Sequence, residues 1–197
     1  ALHEGKSLVF QSETGTGKTF AYLLPLLQKI DIANKISMLI IAPTHELASQ
    51  IKAQIQSISS IKTALCIGGA SISRQIDALK EKPQVVIGGP VRLIALVHLK
   101  KLNLSHIKMA IFDEADRLLA PEMRDDTLAL LNKLPKNAQI IACSATMKKS
   151  FSDLLSQASD RPMENIEMPH EDILKKKITH IALFSEQRDK IDTLRSF

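Results

Sequence analysis

Tryptophan is absent and tyrosine occurs once, so aromatic side chains make up only 4% of the 197 residues. That scarcity argues against recognition built on stacking bases against side-chain rings. Cysteine is nearly as scarce: Cys66 and Cys143 each sit inside a short apolar run, which excludes a disulfide framework and fits buried thiols in a reducing compartment, with the cytoplasm as the expected location. No apolar run approaches the roughly 20 residues of a membrane span, so no membrane partner is expected. Residues 1–7 offer neither a basic start followed by an apolar segment nor an initiator methionine, so no targeting peptide is read and the chain is expected to be a piece of a longer one. Repeats and low-complexity tracts are missing too.

What is present is a globular composition, 45% hydrophobic with net charge +5. A chain of this size buries about 70% of its unfolded surface and needs no staples. The positive excess leans towards an anionic partner but is scattered, and Lys148-Lys149 and Lys175-Lys176-Lys177 read as solvated faces. Short apolar runs at 8–10, 36–42, 64–67, 85–87, 109–112 and 139–142 alternate with longer amphipathic stretches. This alternation predicts βαβ units and an α/β fold with a mostly parallel sheet. The runs are apolar throughout, as strands covered by helices on both faces must be. Another short strand is expected at 165–168, a polar linker at 169–177, and then a strand at 178–184 and a helix at 186–197 that cannot close a core alone. The polar clusters at 12–19, 43–46, 68–69, 88–90, 113–114 and 144–146 all follow predicted strands, so they are expected to converge on the carboxyl rim of the sheet, where ligands of such sheets bind.

Ser12-Glu13-Thr14-Gly15-Thr16-Gly17-Lys18-Thr19 lies between a predicted strand and a helix whose apolar positions include Phe20, Leu23, Leu24 and Leu27. In a P-loop, glycines let backbone N–H groups turn inward around phosphate oxygens, and the following helix adds its positive end. Lys18 then supplies a point charge to the β and γ phosphates of a nucleotide such as ATP, and Thr19 a hydroxyl to Mg2+. Ser12 stands where the strict pattern has glycine. Asp113-Glu114-Ala115-Asp116 follows the apolar run at 109–112, the place of a second acidic element: Asp113 to hold magnesium, Glu114 to orient and deprotonate the attacking water. The plainer reading of each segment is structural, a glycine turn before a helix and an acidic first helical turn.

Taken with Ser144-Ala145-Thr146 after the next strand, these motifs resemble the first RecA-like domain of DEAD-box RNA helicases. Pro43-Thr44-His45-Glu46-Leu47-Ala48 is similar to the family's Pro-Thr-Arg-Glu-Leu-Ala element, Gly68-Gly69 to its glycine doublet, and Gly89-Pro90-Val91-Arg92 to its Thr-Pro-Gly-Arg element. The resemblance implies a RecA-like ATP-binding domain over residues 1–168, lacking an upstream adenine-reading segment, and the first strand and helix of a second RecA-like domain over 178–197. It assigns catalysis to Glu114, Lys18 and Asp113, and nucleotide binding to Ser12 through Thr19. Thr19 and Asp113 go to Mg2+, and Asp116, Ser144 and Thr146 to the coupling of hydrolysis to strand separation. It also lays an RNA phosphate track along Pro43, Thr44, Gly68, Gly69, Gly89 and Arg92, read as backbone with little sequence preference.

His45 replaces the permanent cation of its element with a ring mostly neutral at pH 7, and Gly89 and Val91 stand for Thr and Gly. The implied activity is ATP-driven clamping and local unwinding of RNA duplexes, with arginines from the second domain of the same chain completing the site. The alternatives are an RNA-dependent ATPase clamp or assembly factor, and a DNA translocase of the same superfamily. A P-loop ATPase of another kind is disfavoured by Ser144-Ala145-Thr146.

Overall fold

The computed structural model describes residues 1–11, 17–30, 35–146, 149–159, 162–167, 184, 186 and 189–196. Seven strands among them form one sheet: β1 (Leu8–Gln11), β2 (Met38–Ile41), β3 (Thr63–Cys66), β4 (Val85–Gly88), β5 (Met109–Phe112), β6 (Gln139–Ser144) and β7 (Glu164–Glu167). Their spatial order is β3-β4-β2-β5-β6-β1-β7. Every pairing is parallel, so every strand ends on the same rim.

The helices that return the chain are α1 (Lys18–Leu27), α2 (His45–Ile58), α3 (Ile72–Lys80), α4 (Pro90–His98), α5 (Ala115–Leu118), α6 (Arg124–Lys133) and α7 (Lys149–Ser159), and α8 (Lys190–Ser196) lies beyond the sheet in the chain. Alternate residues of each strand feed two cores. On one face Leu8, Phe10, Met38, Ile40, Val85, Ile87, Met109 and Ile111 pack with Tyr22, Leu23 and Leu26 of α1 and Ala48, Ile51 and Ile55 of α2. Val9, Leu39, Ile41, Val86, Ala110, Phe112 and Ile140 face the opposite core, with Leu79 of α3, Leu93 and Leu96 of α4 and Leu130 of α6. This two-sided burial is why β2, β4 and β5 are apolar at almost every position, whereas β3, at the edge, alternates buried with half-buried residues.

Strand bounds differ slightly from the apolar runs. The 36–42 run yields only Met38–Ile41, and β6 runs on through Ser144 because its hydroxyl is satisfied inside the turn that follows. In α1 the buried face is Tyr22, Leu23 and Leu26, while Phe20 and Leu24 stay in solvent. The helix also continues through Pro25 to Leu27. Cys66 and Cys143 are free and buried, and burial pushes the Cys66 thiol up to about 11. The linker expected at 169–177, and all but Phe184 of the strand expected at 178–184, lie outside the described residues.

Candidate functional site

The loop over 12–16 also lies outside the described residues, but its root and its exit are defined. Gly17 has φ 85° and ψ 18°, left-handed backbone that a glycine takes without steric cost, and its carbonyl accepts from Ala21 N at 3.0 Å to open α1. No acidic residue occupies the first turn of α1, so its free N–H groups and Lys18 leave the helix start positive. At the other end of the loop Gln11 Nε2 donates to Ala145 O at 3.1 Å, tying β1 to the turn after β6.

Two strands away, β5 delivers Asp113. Its backbone N–H donates to Ile41 O at 2.9 Å, which extends the ladder with β2 and fixes the Cα position. The side chain is only 3% exposed, and both oxygens accept hydrogen bonds: Oδ1 from Glu114 N at 3.0 Å, Oδ2 from the Tyr22 hydroxyl at 2.8 Å. Burial raises the Asp113 carboxyl above its ordinary range, against the lowering influence of the Tyr22 bond, the Glu114 N–H and the Lys18 charge. Burial also raises the Tyr22 phenol well above its usual value, so it remains a donor.

Glu114 follows at φ 49° and ψ 50°, left-handed backbone in a residue that carries a side chain. Such a conformation costs about 1–3 kcal/mol and persists because its surroundings over-determine it. Here the ladder bond before it and the helix after it do so, with Arg117 N and Leu118 N both donating to Glu114 O. Its carboxylate is part-exposed and pairs with Arg117 Nη1 at 2.9 Å.

From β6, the Ser144 hydroxyl donates to Thr146 O at 2.6 Å and accepts from Thr146 N at 3.2 Å. That turn aims the Thr146 hydroxyl at Asp116, to which it donates at 2.8 Å. The α1 start, the Asp113-Glu114 pair and the Ser144–Thr146 turn therefore share one end of three adjacent strands.

The segments after β2, β3 and β4 continue the same rim. Pro43 is buried, and Thr44 caps α2 by accepting from Leu47 N at 3.2 Å, with His45 and Glu46 exposed in the first turn. Gly68 and Gly69 are exposed, Gly69 at φ 75°. Arg92 reaches back to that loop, donating from Nη1 to Ala70 O and Gln75 Oε1, both at 3.1 Å, while Gln75 Nε2 donates to Ile67 O at 2.8 Å. Gly89 caps α4 ahead of Pro90. His98 and His106 are exposed and belong to none of this.

Sequence patterns gave no warning of Arg117, Gln11 or Gln75. For Tyr22 a faint signal existed, because it lies three residues after Thr19 and hence on the same helical face.

The donor set fits a nucleotide with magnesium. Among the described residues no group of three or more His, Cys, Asp or Glu side chains forms a cage. A hydroxyl and one buried carboxylate are instead the arrangement of a cation that completes its shell with phosphates and water. The desolvated charge of Asp113, faced on its own rim by Lys18, is what such a cation would offset.

Residues 1–154 match the family model described as DEAD/DEAH box helicase. The probable ATP-dependent RNA helicase YfmL of Bacillus subtilis is 35% identical over 198 residues, covering 98% of this chain and 52% of that protein. The DEAD-box ATP-dependent RNA helicase CshC of Bacillus cereus is also 35% identical, covering 98% and 50%. Among solved structures, a DEAD box protein from Methanococcus jannaschii superposes with a TM-score of 0.79 at 29% identity, over 99% of this chain and 53% of that one. The DEAD-box helicase Mss116, bound to ssRNA and UDP-BeF, gives 0.73 at 26% identity over 84% of this chain and 37% of that one. The chain spans about half the length of the first two relatives.

Proposed function

The chain belongs to the DEAD/DEAH box helicase family, and from that premise we propose that the protein hydrolyses ATP to ADP and phosphate and uses the cycle to clamp and locally unwind RNA duplexes. The observation that carries this reading is the convergence, on one rim, of the positive start of α1 with the buried Asp113 and the strained Glu114, and of Thr146 with Asp116.

In this reading Ser12 to Gly17 wrap the phosphates with backbone N–H groups and Lys18 binds the terminal ones. Thr19 and Asp113 hold Mg2+, which when bound neutralises charge on the transferring phosphoryl group. Glu114, part-exposed and not in the core, orients the attacking water and accepts its proton. The Thr146–Asp116 bond joins the turn after β6 to the acidic element after β5, so movement at the nucleotide reaches the rim through two residues. Thr44, Gly69, Gly89 and Arg92 line the remainder of that rim, where helix starts face outward to phosphate. Residues 1–168 form the ATP-binding domain, 169–177 a linker, and 178–197 the opening strand and helix of a second domain whose arginines complete the site. The expected location is the cytoplasm.

The test is RNA-stimulated ATP hydrolysis and strand displacement by the full-length protein. Lys18→Ala is expected to lower turnover at least a hundredfold, and Thr146→Val to keep hydrolysis while losing strand displacement. The 197-residue chain alone is expected to be nearly inactive, because arginine fingers are worth about 10³–10⁵ in rate in related transfers. RNA-stimulated turnover by this chain, abolished in its Lys18→Ala form, would overturn the two-domain reading, and preference for DNA duplexes would overturn the substrate.

A further inference from the structure

Tyr22 is the only tyrosine in the sequence and there is no tryptophan. Its ring is fully buried in the core under α1, where the ring of a phenylalanine would pack as well. The hydroxyl must therefore be accounted for by what it touches, since a buried phenol without a partner is costly. It donates to Asp113 Oδ2 at 2.8 Å. Tyr22 belongs to the buried face of α1, which presents its hydroxyl to the tip of β5.

We propose that Tyr22 is a positioning residue for the magnesium site, holding the Asp113 carboxylate in its orientation before the ion arrives. The proposal rests on the assignment of Thr19 and Asp113 to Mg2+ made above. Geometry gives the reason. Glu114 N holds Oδ1 and the phenol holds Oδ2, so the carboxylate plane has no freedom to rotate, while each oxygen keeps a lone pair for a further ligand. Without the phenol hydroxyl, Oδ2 would lose its described partner. Outer-shell groups of this kind are worth about 10–100-fold in metal affinity.

The decisive variant is Tyr22→Phe in the full 197-residue chain, with ADP titrated calorimetrically across a range of Mg2+ and again in EDTA. The Mg2+ concentration for half-maximal strengthening of ADP binding is expected to rise about tenfold or more, while the Mg2+-free affinity stays within twofold. Equal Mg2+ midpoints in the two proteins would overturn the proposal, as would a parallel loss of Mg2+-free affinity, which marks a purely structural role. A second measurement needs no variant. With pyrophosphate, which does not absorb near 280 nm, added Mg2+ is expected to change the emission of the single tyrosine, and unchanged emission at saturating Mg2+ and pyrophosphate would also overturn it. Lys18→Ala separates the two levels of the argument. If wild type and Lys18→Ala bind ADP identically, the nucleotide site itself is misassigned; if only Tyr22→Phe is silent, the site stands and the positioning role falls.

Discussion

Glu114 shows most directly how a single residue is held in a backbone conformation that costs it stability. Its left-handed backbone is a position at which glycine would cost less, yet the chain places there a part-exposed carboxylate, the one proposed above to orient the attacking water. Glu114→Gly is expected to raise stability by up to about 1 kcal/mol, since the strain relieved exceeds the extra chain entropy and the loss of a half-exposed pair with Arg117. The same change is expected to abolish ATP turnover in the full-length protein. Thermal melts and steady-state hydrolysis of the one variant check both halves, and a fall in stability would refute the strain argument. Nothing in the tetrapeptide Asp-Glu-Ala-Asp announces a positive φ. The left-handed turn arises because Asp113 N is bound to β2 while α5 must leave the sheet two residues later. The partner of Asp113 was equally hidden, since Tyr22 lies 91 residues away in sequence.

At the scale of elements, the turn from β4 to α4 contains two adjacent glycines with opposite requirements. A Cβ at Gly88 would stand 2.1 Å from Cys66 O and 3.1 Å from a Leu93 methyl, so neighbouring backbone forbids a side chain there. At Gly89 the nearest atom to a Cβ is Ala42 O, at an ordinary 3.9 Å. Gly88→Ala is therefore expected to destabilise the fold by about 3 kcal/mol or more, whereas Gly89→Thr should fall within about 0.5 kcal/mol of wild type. Urea unfolding of the two variants checks this, and similar losses in both would show that the turn, not the packing, needs glycine. The run Val85-Val86-Ile87-Gly88-Gly89-Pro90 marks strand, turn and helix start in sequence, but which glycine is obligatory depends on how closely β3 approaches. The same limit applies in α1, where apolar spacing identifies a helix but Phe20 and Leu24 are apolar and exposed, and the polar-tipped Tyr22 is buried.

Across the whole molecule, the parallel sheet brings segments more than a hundred residues apart to one rim, and the net charge of +5, spread over the chain, leans towards anionic partners in general. Because this chain holds almost no aromatic side chains for stacking, the RNA binding proposed above for its rim is expected to be driven by phosphate. Its affinity should fall linearly in a plot of log affinity against log salt, by about 0.7 per single-strand phosphate contacted, and differ little between sequences of equal length. Filter binding across salt concentrations tests this, and a flat salt response or strong sequence preference would contradict it.

The sequence by itself determined the α/β class, the parallel sheet and the order of the motifs, because two-sided burial leaves apolar runs and the strand-to-helix turns leave glycine and hydroxyl residues at fixed offsets. The tertiary structure alone decided that β6 separates β1 from β5, that Asp113 is held by Tyr22 while Arg92 is tied to Ala70 and Gln75, and that Thr146 meets Asp116. Those contacts depend on strand order and on the close approach of distant backbones, which no local spacing of residues records.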